Sequence, residues 1–71
     1  MFKPTQKLRV IIDNVSIYTT AKQVRNGIGD FYSVNAATQK ALLVLETTKR
    51  GSNGIAGRWD DHNVQIDVAV F

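Results

Sequence analysis

An α+β fold is what this sequence predicts: one long helix packed on a small antiparallel sheet of about three strands. Two strands that alternate in polarity and one unbroken helical segment lead there. The expected order is strand, then a short helix or hairpin, then the long helix, then two strands. The 71 residues are read as a single compact domain with a loose N-terminal segment over residues 1–6. A chain this short buries only about 60% of its unfolded surface, so the core is expected to be thin. Leu, Ile, Val and Phe together number 21, enough apolar side chains to fold rather than remain disordered.

The first strand spans Leu8 to Ile12. Leu8, Val10 and Ile12 share one face, and Arg9, Ile11 and Asp13 share the other. Asp13-Asn14 interrupts the run as a bulge or turn would, and alternation resumes with Val15 and Ile17 opposite Ser16 and Tyr18. Residues 8–18 are therefore one bent strand or two short ones.

Residues 19–32 support two readings. Thr20-Ala21-Lys22-Gln23 fits a capping box, which starts a helix that Gly27 ends. Asn26-Gly27 also suits a type I′ turn, with Gln23 to Arg25 pairing to Ile28 to Phe31.

Residues 33–50 form the clearest element. The segment lacks Gly and Pro, is rich in Ala, Leu, Gln, Lys and Glu, and can be capped by Ser33 or Asn35. At 100° per residue, Val34, Ala37, Ala41, Val44, Leu45 and Thr48 fall on one face. Lys49 and Arg50 would oppose the negative end of the helix dipole, and Gly51 would end the helix. Leu43 points into the polar face, where it is a candidate protein contact.

The last two strands are expected at Ile55 to Trp59 and Val64 to Phe71, joined across Asp60-Asp61-His62-Asn63. Val64, Ile66, Val68 and Val70 alternate with Gln65, Asp67, Ala69 and Phe71, as in a sheet with one covered face. If Val64 to Phe71 lies at a sheet edge, Phe71 and its strand could pair with a partner or a second copy.

Catalysis is not expected. The single histidine, His62, is placed in a turn beside Asp60 and Asp61, and no nucleophile or phosphate-loop motif accompanies it. No metal or other cofactor is expected, and without cysteine neither disulfides nor thiolate sites can support the core. A secreted domain of this size would usually need such staples, so an intracellular, cytoplasmic location is expected, and residues 1–7 carry no apolar run. The longest apolar stretch, Ala41 to Leu45, is too short to span a bilayer, so membrane binding is not expected.

Binding remains. The net charge of +3 favours phosphate backbones or acidic partners. A helix-turn-helix over residues 20–50 is disfavoured, because its connection is too long and Arg25 stands where a small buried residue belongs. Nucleic acid is the expected partner. Lys22, Arg25, Lys49, Arg50 and Arg58 are the candidate phosphate contacts, and Tyr32 and Trp59 the candidate stacking groups. Thr19-Thr20, Val24-Arg25, Gly27 and Tyr32-Ser33-Val34-Asn35 resemble the DNA-binding wing of filamentous-phage single-stranded DNA-binding proteins. The likeness is confined to residues 19–35, implies no role for any residue, and departs from that all-β family where residues 33–50 read as helix. The alternative is a protein partner, as for a small inhibitor or regulator, met through Leu43, through Phe71 or as a homodimer.

Overall fold

A computed structural model describes residues 1–48 and 54–69. Its elements are β1 (Lys7–Ile12), β2 (Val15–Thr20), α1 (Ala21–Asn26), α2 (Tyr32–Thr48), β3 (Ile55–Trp59) and β4 (His62–Val68). The fold is α+β, as expected, but the described sheet has four antiparallel strands in the order β2-β1-β4-β3.

The added strand comes from Asp13-Asn14, which is a tight hairpin turn and not a bulge. Both residues have positive φ, 48° and 72°. Asp60 and Asp61 do the same in the second hairpin, at 49° and 66°. Two left-handed residues in succession match the twist of the flanking strands, and Asp and Asn tolerate that conformation better than most side chains. The second turn is thus only two residues long, and His62 and Asn63 belong to β4.

Strand order overturns a second expectation. The final strand lies inside the sheet, between β1 and β3, so it presents no edge to a partner. Leu8, Val10 and Ile12 stand opposite Val68, Ile66 and Val64. The edges are β2 and β3.

The short-helix reading holds, as α1, but only half of the capping box forms: Gln23 Oε1 accepts from the Thr19 hydroxyl at 2.7 Å. Thr20 is the extended N-cap and accepts a hydrogen bond from the Gln23 N–H at 3.4 Å. Ala21 and Val24 are fully buried, which favours the helix over a hairpin. Gly27, at φ 104°, ends α1. Residues 21–26 therefore form no wing of the kind the phage-protein likeness would require.

Helix α2 begins at Tyr32, so Ser33 and Asn35 lie inside it and not at its cap. Asn35 instead holds the preceding loop, accepting from the Gly29 N–H at 2.8 Å and donating to the Gly29 carbonyl at 3.0 Å. The buried stripe is Ala37, Thr38, Ala41, Leu42 and Leu45. It is rotated from the expected one, which included Val44 and Thr48. Thr38 can point inward because its hydroxyl bonds back to the carbonyls of Val34 and Asn35, both at 3.0 Å. The expected continuation through Lys49 and Arg50 lies outside the described residues.

Helix α2 and the shorter α1 pack with one face of the sheet, where Leu8, Val10, Ile12, Ile55, Val64 and Ile66 are buried. Trp59 is half-buried against this core. Its ring lies over Gly57, so close that a Cβ there would come within 2.6 Å of it. The N-terminal segment, residues 1–6, meets the start of α1. Pro4 and Gln6 accept from the backbone N–H groups of Lys22 and Ala21, both at 3.0 Å.

Gly57→Ala is expected to push the single tryptophan toward water. Its emission should shift to the red, with a loss of stability of about 1–2 kcal/mol from overpacking. Unchanged emission would contradict the close packing of the ring on Gly57.

Candidate nucleic-acid interface

The face of the sheet away from the helices carries the side chains that alternate with the core rows. Across the strands, Arg9 stands beside Tyr18 and Asp67, and Ile11 beside Ser16 and Gln65. Lys7 stands beside Thr20, Gln65 beside Ala56, and Asn63 beside Arg58. This face holds three cations, Lys7, Arg9 and Arg58, together with the ring of Tyr18. Asp67 is the one carboxylate among these paired positions. It is bonded to Arg9 at 2.8 Å, and that bond, then its charge, holds the guanidinium still more firmly protonated than usual. Two shallow grooves mark the face. One, of about 430 Å³, is bordered by Ile11, Asn14, Ala56, Arg58, Asn63 and Gln65. The other, of about 300 Å³, is bordered by Arg9, Tyr18 and Asp67.

The residues expected to bind nucleic acid are not brought together. Arg58 lies exposed on the outer face. Lys22 is exposed on α1, and Tyr32 is 89% exposed at the start of α2, both in the helical layer. Trp59 points to the opposite face from Arg58, half-buried at the core margin, so the two do not share one surface. Arg25 serves the fold: it donates to Glu46 at 2.8 Å and to the Phe2 carbonyl at 3.0 Å. The same Glu46 oxygen accepts from the Phe2 N–H at 2.7 Å, and the Glu46 side chain is only 7% exposed. Lys49, Arg50 and Phe71 lie outside the described residues. Leu43 is 59% exposed, as expected, but Gln39 and Lys40 separate it along the helix from exposed Tyr32. Lys7, Arg9 and Tyr18, which share the outer face, were not among the expected contacts. Arg9 stands in the polar row of the first alternation and Tyr18 in that of the second.

His62 has partners the sequence did not reveal. Its Nδ1 meets Asp13 Oδ2 at 2.7 Å and its Nε2 meets Ser33 Oγ at 3.1 Å. A carboxylate only accepts, so Nδ1 carries the proton, and Nε2 of a neutral ring accepts from the serine hydroxyl. The order resembles a nucleophile, base and orienting acid. The chain nevertheless lies at the surface, outside the grooves described, with Ser33 exposed. These contacts link the first turn, β4 and the start of α2. Asp13 also accepts from the Asn63 N–H at 3.1 Å. Among the described residues, no three or more His, Cys, Asp or Glu side chains gather to hold a metal ion, and no helix is long and apolar enough to cross a membrane.

Compared with known proteins, the chain matches no family model, no curated protein and no solved structure at a significant level. The class defined by the fold is a four-stranded antiparallel sheet with helices on one face only.

Two outcomes follow for the polar contacts. Chiefly the His62 hydrogen bond, then that from Asn63, holds the Asp13 carboxyl below its ordinary range. Its contribution to stability is present above the unfolded-chain value and is lost as pH falls through the lowered one. The difference in melting temperature between wild type and Asp13→Asn should therefore be full at neutral pH and shrink below about pH 4. A difference independent of pH would contradict the clamp. Arg25→Ala should cost about 1–3 kcal/mol in thermal or denaturant unfolding, because it strips a mostly buried carboxylate of its cation.

Proposed function

We propose that the protein is a non-enzymatic binder of single-stranded nucleic acid, acting inside the cell through the open face of its sheet. The observation that carries this reading is the composition of that face. Three cations, one aromatic ring and a set of neutral hydrogen-bonding side chains share a surface that neither helix covers. Single strands are bound by cationic grooves that follow the backbone and by rings that stack on bases, with little demand for sequence. Lys7 and Arg58 lie toward opposite corners of the face, with Tyr18 on one edge strand. A strand crossing the sheet would meet phosphate contacts at both corners and a stacking surface beside Arg9. The polar row of Ser16, Asn63 and Gln65 offers hydrogen bonds to base edges or sugars.

Fluorescence polarisation with oligothymidylate tests the reading. Two phosphate contacts on a single strand, from Lys7 and Arg58, imply that affinity falls about sevenfold between 50 and 200 mM salt. Arg58→Ala and Lys7→Ala should each weaken binding and flatten that slope. Tyr18→Ala should weaken binding about tenfold, the scale of one stacked base. Lys22→Ala, in the helical layer, should change little. Absence of binding at about 50 mM salt would overturn the proposal.

A further inference from the structure

An edge strand offers a ready template for another strand, and folded proteins protect such edges with charge, proline, bulges or short length. The two edges of this sheet differ in protection. β3 is five residues long, contains Gly57 and carries exposed Arg58. Two copies meeting through β3 would bring their arginines close together. β2, Val15-Ser16-Ile17-Tyr18-Thr19-Thr20, has no charge, no proline and no glycine, and its residues are β-branched, aromatic or small. Its Val15 is 60% exposed on the helix side of the sheet. A groove of about 320 Å³ runs along this edge, between Ile17 to Thr19 and the side chains of Gln23, Asn26 and Ile28.

The register fixes which groups the edge presents. The two-residue turn makes Ile12 and Val15 a hydrogen-bonded pair, and so also Val10 with Ile17 and Leu8 with Thr19. The alternate residues of β1 bond to the other side, as the contacts of the Lys7 carbonyl with the Ala69 N–H and of the Asp13 N–H with the Asn63 carbonyl require. On β2, Ser16 and Tyr18 therefore direct their backbone N–H and C=O groups away from β1.

We propose that the edge of β2 pairs antiparallel with β2 of a second copy of this chain, about a two-fold axis at Ile17. Ser16 then stands opposite Tyr18 of the other copy, twice, and each pair exchanges two backbone hydrogen bonds. Ile17 meets its own equivalent at the close, non-hydrogen-bonded position, and Val15 faces Thr19. An isologous contact requires a patch that is its own complement, and an uncharged strand meets that requirement without repulsion. The result is a continuous eight-stranded sheet whose outer face carries two copies of Lys7, Arg9, Tyr18 and Arg58. The pairing does not depend on what that face binds, and its test uses no nucleic acid.

Sedimentation equilibrium at about 100 μM reads the outcome directly, since even a micromolar dimer is then assembled. Wild type and Ser16→Ala should have twice the monomer mass of 7.9 kDa. Ser16→Pro removes an outward N–H but no bond to β1, and should raise the dissociation constant at least about tenfold. Monomeric wild type, or a Ser16→Pro variant that dimerises unchanged, overturns the proposal. A second arm avoids any dependence on how the proline variant folds. Because the chain has no cysteine, Ile17→Cys should oxidise to a disulfide-linked dimer, while Phe31→Cys, at a 71% exposed site in the loop before α2, should not. Absent or equal cross-linking of the two overturns the pairing.

Discussion

One helical layer can cover only one face of a sheet. That constraint organises this protein. The alternation of β1 and β4 sorts Leu8, Val10, Ile12, Val64 and Ile66 to one side, where α2 lays Ala37, Ala41, Leu42 and Leu45 over them. Burial of these side chains is worth roughly 1.5–3 kcal/mol for each large one, and it forces the intervening residues onto the opposite face. The outer face is therefore polar because the inner one is apolar, and its cations come without any need to desolvate them. The small residues of α2 matter here. Ala37 and Ala41 bring the helix close to the sheet, and a thin core leaves little interior to spare.

Polar contacts hold the layers in register. Arg25, Glu46 and the backbone of Phe2 join the N-terminal segment, α1 and α2 at one end. Asp13, His62 and Ser33 join the first turn, β4 and the start of α2, and Lys40 reaches Asp60 at 2.9 Å in the second turn. Such pairs add little free energy where they are exposed. Their effect is to fix the angle at which the helix crosses the sheet. They also engage Arg25 with Glu46 in the helical layer, as Asp67 engages Arg9 on the outer face of the sheet.

Local pattern made the strands and the long helix legible. A period of two over residues 8–12 and 64–68 and a helical run from residue 33 are properties of neighbouring residues. Strand order is not. The pairing of β1 with β4 joins residues more than 50 positions apart, and nothing near Val64 announces that its strand sits between two others. The turn at Asp13-Asn14 was ambiguous for a related reason: either residue tolerates positive φ, and only the tertiary pairing of β1 with β2 shows that both adopt it. At the candidate site, Arg58 is singled out in the sequence as a basic neighbour of Trp59, and strand geometry puts the two on opposite faces. Arg25 could not be rejected, because its partner Glu46 is distant in the chain. Lys7, Arg9 and Tyr18 become a group only once two antiparallel pairings lay them side by side.

In the proposed function, the outer face of the sheet is the surface that meets nucleic acid. Amide and aromatic resonances followed by NMR during titration with oligothymidylate at low salt test this most directly. The account predicts that the largest shifts fall on β1, β2 and β3, at Lys7, Arg9, Ser16, Tyr18 and Arg58, with the Tyr18 ring among them and α2 nearly unmoved. Shifts concentrated on Lys22, Tyr32 and the exposed side of α2, with the sheet unmoved, would contradict it.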